Sequence, residues 1–190
     1  MADSPYGVRV IVGDVRGKGL DGVQLAGTVL GAFRRAAFTT PSLAAIATEL
    51  DGVVKAVAGE EDFVTAVLAE FHDDQSVTLV NCGHHAPLLV TDTADVLETG
   101  EPALPLGLGP KPCPVTSLWP GGSRLLIYTD GLVEARDRRG VFFPLNDYAS
   151  VLRDGNLDEA LDRLLARLGD HAGQRIDDDM ALVLVEQLAA

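Results

Sequence analysis

The chain has 190 residues, of which 47% are hydrophobic and 23% charged, a mixture that fits one globular domain and excludes collagen-like, coiled-coil and disordered classes. Fifteen Lys and Arg stand against 28 Asp and Glu, for a net charge of -13, so phosphate backbones and anionic membrane surfaces repel it on average. Neither a nucleic-acid partner nor direct membrane contact is expected. Cys82 and Cys113 provide no disulfide framework and no zinc spacing, which points to a reducing, cytoplasmic setting. The N-terminal MADSPYG has neither the basic region nor the apolar core of a signal peptide.

In chain order, Tyr6 to Val12 is β-rich and ends at Gly13-Asp14, which predicts a buried strand followed by a loop over residues 15–19. Leu20 to Phe38 predicts a helix, with Val23, Ala26, Gly27, Leu30 and Phe33 as its core-facing stripe. Pro41-Ser42 opens a second helix, Leu43 to Val57. Strands are then expected at residues 63–71, 77–81 and 87–90, with a short edge strand at Val96-Leu97. Residues 100–122 are rich in Pro and Gly and read as one long structured loop. Arg124 to Thr129 is a strand running into Asp130-Gly131, residues 147–153 a weak helix, and Leu157 to Leu168 an amphipathic helix. On that last helix Glu159, Asp162, Arg163 and Arg167 read as the solvated face. Met180 to Val185 is the final strand. Strands in runs with helices grouped between them predict an α+β fold in one domain covering residues 1–190.

Three places join a strand end to carboxylates: Gly13-Asp14, Asp130-Gly131 and Asp177 to Asp179. If the last strand runs antiparallel to the other two, the three carboxylates meet at one sheet edge. Carboxylates gathered that way repel each other unless a cation lies between them, and an all-oxygen set suits hard ions such as Mg²⁺ or Mn²⁺. Asp-Gly is also a common turn pair, so each Asp taken singly also reads as a turn former. His84 and His85 are candidates for an acid, a base or a ligand, and equally for a loop histidine bonded to backbone. Residues 13–19 fail the Walker A pattern, because Gly19 stands where Ser or Thr must follow Lys18. No Gly-x-Ser-x-Gly elbow occurs.

Five segments, GDVRGKGLDGVQLA, NCGHHAPLLV, LPLGLG, RLLIYTDGLVEARD and DDDMALVLV, follow one another between Gly13 and Val185. In that order and spacing the chain resembles the bacterial serine phosphatases of the sporulation stage II E type, a branch of the metal-dependent type-2C protein phosphatases. The resemblance implies an α-β-β-α sandwich, two antiparallel sheets with helices outside, and two Mn²⁺ or Mg²⁺ ions bridged by a water. It also implies roles for single residues. Asp14 matches the Asp that bridges both metals, with the Val15 carbonyl beside it. Asp130 matches a ligand of the second metal. Asp178 matches the remaining ligand, with Asp179 as the fallback.

Where eukaryotic relatives carry a His two residues after the bridging Asp, this chain has Arg16, which is suited to gripping a phosphate dianion. His84 falls where those relatives place a further acidic residue of the metal site. Many relatives carry Gly-Gly-Asp on a strand ahead of this start, and no Gly-Gly-Asp occurs here. The chain is therefore expected to lack the first strand of the family fold and one metal carboxylate, with weakened metal binding and turnover. Its unpaired sheet edge predicts a homodimer through that edge.

The resemblance implies hydrolysis of phosphoserine or phosphothreonine on a regulatory protein, an anti-sigma-factor antagonist, by a cytoplasmic domain that can belong to a longer membrane-tethered sensor. Two other readings stay open: a catalytically impaired module that docks a phosphoprotein or partner kinase, and a Mg²⁺-dependent phosphohydrolase acting on a small molecule.

Overall fold

The structure, a computed structural model, describes residues 1–17, 19–59, 61–173 and 179–188. The chain divides into two compact units, one formed by residues 1–86 with 98–118, the other by residues 87–97 with 119–190. Each unit owns one sheet, its helices and its own core.

The first unit is built on a five-stranded sheet in the order β1-β2-β3-β4-β7, all of it antiparallel. Its strands are β1 (Ala2–Ser4), β2 (Gly7–Arg16), β3 (Phe63–Phe71), β4 (Ser76–Cys82) and β7 (Val115–Leu118). The expected strand at Tyr6 to Val12 runs longer, through Asp14 to Arg16, because β3 offers a partner to every residue up to Phe63. Ahead of it, Ala2–Ser4 pairs with Gly7 to Arg9, a short strand not assigned from sequence. β7 lies inside the segment expected to be loop. It pairs only with β4, a non-local partner that the Pro and Gly around it hide.

Two helices complete this unit, α1 (Gly19–Thr39) and α2 (Leu43–Val57). α2 starts where expected, with the Ser42 hydroxyl accepting a hydrogen bond from the Ala45 N–H. α1 corrects the expected stripe: its buried face is Leu25, Val29, Phe33, Ala36 and Ala37, whereas Val23 is 68% and Leu30 55% exposed. The helix is apolar nearly all round, so two stripes satisfy the same period, and packing against α2 and the sheet selects the one with larger side chains. Those residues join Ile46, Leu50, Val54, Leu68 and Val80 in one core.

The second unit carries a four-stranded antiparallel sheet in the order β6-β5-β8-β9. Its strands are β5 (Leu88–Val90), β6 (Ala94–Val96), β8 (Arg124–Tyr128) and β9 (Leu182–Glu186). The helices are α3 (Asp130–Val133), α4 (Leu145–Tyr148) followed by a 3-10 turn over Ala149–Leu152, and α5 (Leu157–Ala172). α5 is longer than the expected Leu157 to Leu168. An Asn156–Glu159 capping box opens it and left-handed Gly173 closes it. Arg163 departs from the solvated reading, because its guanidinium turns inward to donate to the carbonyls of Val151 and Asp154. Leu88, Leu126, Leu152, Leu164 and Leu168 form the core of this unit.

The sheets also correct the picture of a single carboxylate-bearing edge. Asp14 stands on a strand of the five-stranded sheet, whereas Asp130 and Asp179 flank strands of the four-stranded one. Among the described residues no helix is long and apolar enough to cross a membrane.

Candidate active site

In the first unit the site is organised around the end of β2. Asp14 stays on the strand, opposite Thr65, rather than beginning a loop. Gly13 permits this: a Cβ at that position would come 2.3 Å from the Thr65 carbonyl oxygen, so only glycine lets the two backbones approach so closely. The Thr65 hydroxyl donates to the Asp14 carbonyl at 3.4 Å and lies 3.0 Å from His84 Nδ1.

His84 is itself held by the turn that follows β4. The Asn81 side chain accepts from the His84 N–H and donates to its carbonyl, both at 2.8 Å, and also donates to the Thr99 hydroxyl. Gly83 supplies the left-handed residue this turn requires, with φ 72°, against Pro105. The His85 ring meets that of His84 edge to face at 6.0 Å. Arg16 lies at the last position of β2 with its guanidinium 5.2 Å from the centre of the Phe63 ring, which stiffens an exposed cation.

Beside these residues runs the LPLGLG segment. Leu106 is buried and exchanges backbone hydrogen bonds with Val64, while Gly107 and Gly109 donate their N–H groups to the Asp51 carboxylate on α2. Burial pushes the Asp51 carboxyl up, but Lys55 and these two N–H groups outweigh it and hold it below the ordinary carboxylate range.

In the second unit the corresponding place is the end of β8. Thr129 is buried and stitched to the start of the last strand: its N–H donates to the Ala181 carbonyl and its hydroxyl accepts from the Ala181 N–H. Asp130 then opens α3, half-exposed, and a Cβ on Gly131 would lie 2.5 Å from the Asp179 carbonyl oxygen. The Gly of the Asp-Gly pair is thus fixed by this contact. Asp130 follows β8 and Asp179 precedes its antiparallel neighbour β9. Asp177 and Asp178, the latter the ligand expected from the resemblance, lie outside the described residues.

The structure therefore brings Asp14, the Val15 backbone, Arg16 and His84 to one end of the first unit, and Asp130 and Asp179 to one end of the second. Thr65, Asn81 and Asp51 escape a reading from sequence. Their roles are side-chain bonds to distant segments, and the only local signal is the Asn at the start of the NCGHH turn. No three His, Cys, Asp or Glu side chains converge on one point among the described residues. The donors present still fit a hard cation in kind, being carboxylate and carbonyl oxygens with no thiolate among them, since Cys82 is buried and its thiol is pushed up to about 12.

The fold is shared with solved phosphatases. The SiaA-PP2C domain of Pseudomonas aeruginosa matches with a TM-score of 0.81 at 19% identity, over 97% of this chain and 77% of that one. The RsbU and RsbW domains of Rv1364c from Mycobacterium tuberculosis match with a TM-score of 0.80 at 24% identity, over 95% of this chain but 53% of that one. The catalytic domain of the serine/threonine phosphatase PstP, solved with 2 manganese ions, matches with a TM-score of 0.70 at 16% identity, over 95% of this chain and 88% of that one. No curated protein matches the chain in sequence.

Two antiparallel sheets with helices are thus the fold this chain shares with the PP2C-type serine/threonine phosphatases. Within that class the chain belongs to the Stage II sporulation protein E (SpoIIE) family, which matches residues 4–187.

Proposed function

We propose that the chain is a metal-dependent protein serine/threonine phosphatase that hydrolyses phosphoserine or phosphothreonine on a regulatory protein. The observation that carries this reading is the matched placement of Asp14 and Asp130, each within two residues of the last buried residue of its strand segment and each beside a glycine that admits a close neighbouring backbone. Asp14 and the Val15 carbonyl in the first unit, and Asp130 and Asp178 with Asp179 as its neighbour in the second, are the groups that would hold Mn²⁺ or Mg²⁺. When bound, such ions supply an activated water and neutralise phosphoryl oxygens.

The chain's own groups do the rest. Arg16, braced on Phe63, grips the phosphate dianion through two N–H groups and turns the phosphorus toward attack. Water attacks in line, the P–O bond to the serine breaks, and the serine oxygen takes up a proton. His84, tied through Thr65 to the Asp14 backbone, is the imidazole placed for proton exchange. Kinship with RsbU-containing and SpoIIE domains supports an anti-sigma-factor antagonist as the substrate. A cytoplasmic setting, and a homodimer paired through the β1 edge, are proposed with it.

Phosphate release from a phosphoserine peptide in the presence of Mn²⁺ tests the reading. Turnover is expected to fall to background in Asp14→Asn and with a chelator. Turnover that survives either change overturns it. A wild-type chain that binds the phosphopeptide without releasing phosphate is instead a docking module.

A further inference from the structure

The hairpin that follows α3 carries one step more, resting on the phosphatase reading above. We propose that Arg138 and Arg139, at its tip, dock an acidic segment of the substrate protein beside the phosphoserine.

Charge singles this hairpin out. The chain sets 15 Lys and Arg against 28 Asp and Glu, so on average it repels an acidic phosphoprotein. Three of those 15 cations fall in Arg136-Asp137-Arg138-Arg139, and all three arginines are exposed. Arg9, Arg124 and Arg153 each pair with a carboxylate of this chain. Among the described residues no carboxylate forms an ion pair with Arg136, Arg138 or Arg139. Asp137, between them, is turned to the backbone instead. Its carboxylate accepts from the Val141 and Arg139 N–H groups at 2.9 and 2.7 Å, and these bonds hold its carboxyl below the ordinary range.

The same bonds make the tip a fixed turn. The Gly140 N–H donates to the Asp137 carbonyl, the Asp137 N–H donates to the Val141 carbonyl, and Gly140 takes the left-handed φ of 83°. Below the tip, Phe143 is buried and stacks on Tyr148 at 5.1 Å, and His171 on α5 donates from Nε2 to the Val141 carbonyl. Beside the arginines Val141 is 55% and Phe142 48% exposed, with the Arg136 guanidinium 4.2 Å from the Phe142 ring centre. A preordered turn that offers two cations beside an apolar rim suits a short extended peptide carrying carboxylates. A nucleic acid, with a phosphate at every residue, would run on from so small a patch into the acidic remainder of the surface.

The hairpin is also within reach of the candidate metal carboxylate. Asp130 opens α3, and the chain from there to the tip is short, so the Asp130 and Arg138 Cα atoms lie at most about 22 Å apart. An extended peptide covers that span in about seven residues. One substrate segment can therefore place its phosphoserine at Asp130 and its carboxylates on the hairpin.

The test uses the whole chain and two fluorescein-labelled phosphoserine peptides, one with glutamates within about seven residues on either side of the phosphoserine, the other with glutamines in their place. With Mn²⁺, the glutamate peptide should show a KM about fivefold lower, with kcat little changed. Joint replacement by Arg138→Gln and Arg139→Gln should bring the two KM values together at the wild-type kcat, while Arg138→Lys with Arg139→Lys should keep most of the difference. Salt raised to about 0.5 M should erase it. Equal KM values in the wild-type chain, or a preference unchanged in the glutamine variant, overturns the proposal. If the wild-type chain releases no phosphate at all, the phosphatase reading fails, and anisotropy of the same peptides still decides the docking role by the same fivefold preference. A single-stranded oligonucleotide that binds more tightly than the glutamate peptide gives the patch to nucleic acid and also overturns the proposal.

Discussion

Each unit is anchored by one buried arginine, and the two anchors follow one plan. In the first, Arg9 on β2 pairs with Glu70 directly across on β3 and donates to the carbonyls of Ala37, Thr40 and Pro41, where α1 ends. In the second, Arg124 on β8 pairs with Glu186 directly across on β9 and donates to the carbonyls of Leu152, Asp154 and Gly155, where the 3-10 turn ends. In both, the strand that carries the anchor near its start runs on to the carboxylate of the candidate site, Asp14 in one and Asp130 in the other. One strand thus ties the end of a helical segment near its start and runs on to a candidate carboxylate.

The difference between the anchors lies in how much each must do alone. The Arg9 side chain is wholly buried, its partner Glu70 is 13% exposed, and the Tyr6 ring covers the guanidinium at 4.6 Å. Glu186 is 31% exposed, and Arg163 shares the work by donating to Val151 and to the same Asp154 carbonyl that Arg124 serves. The first anchor is deeper, with His72 Nε2 3.6 Å from Glu70; the second is shallower and shares the Asp154 carbonyl with Arg163.

Replacing Arg9 by Met should therefore have the largest effect. It leaves a half-buried carboxylate and three carbonyls at the end of α1 without their arginine donor, a loss of about 3–5 kcal/mol of unfolding free energy. Arg124→Met should cost less, about 1–3 kcal/mol, because water reaches Glu186 and Arg163 keeps part of the carbonyl set satisfied. Urea unfolding followed by circular dichroism measures both. Fluorescence of Trp119, the single tryptophan and buried in the second unit, separates them. Equal losses, or an Arg163→Ala effect that adds fully to that of Arg124→Met, would break the comparison.

These anchors also mark where the sequence is legible. α2 and β3 can be read residue by residue, since the Ser42 cap and the apolar patterns of Leu43 to Val57 and Phe63 to Phe71 are local signals. Asp14, Arg16, His84 and Asp130 could be picked out because they sit in short motifs with Gly neighbours. Arg9 and Arg124 could not, since an Arg opening a strand looks like a solvent-facing residue until the opposite strand supplies its carboxylate. The same holds for Thr65, and for β7, whose pairing with β4 is invisible among its prolines and glycines. The α1 stripe failed for another reason: periodicity alone cannot choose between two apolar faces of one helix. Local chemistry was readable; chemistry completed by a distant segment was not.

A smaller effect is expected at Asp51, the tie between α2 and the Gly107–Gly109 backbone in the first unit. Its folded carboxyl lies below the ordinary value, so the stability it contributes is fully present above about pH 4, the unfolded range, and is lost as pH falls through the lower folded value. Asp51→Asn should cost about 1 kcal/mol at neutral pH by losing the Lys55 partner while still accepting from the two N–H groups. It should also flatten the fall in stability below pH 4, and a wild-type acid limb left unchanged in the variant would remove Asp51 from the set of ties. With it in place, the first unit has a second long-range polar tie beside Arg9.

The smallest signal is a thiol count, and it puts the two units on one scale. Burial pushes the Cys82 thiol up to about 12, with the nearby Asp51 charge acting in the same direction, so the folded protein holds almost no Cys82 thiolate at pH 8. Cys113 is exposed. Ellman's reagent should label one thiol rapidly in the native chain and both in urea. Cys82 lies in the first unit, so slow labelling at pH 8 reports how often that unit opens. Arg9→Met should speed it strongly, and Arg124→Met should leave it close to the wild-type rate. If both variants speed it equally, the units open together, and the two anchors hold one cooperative structure rather than two.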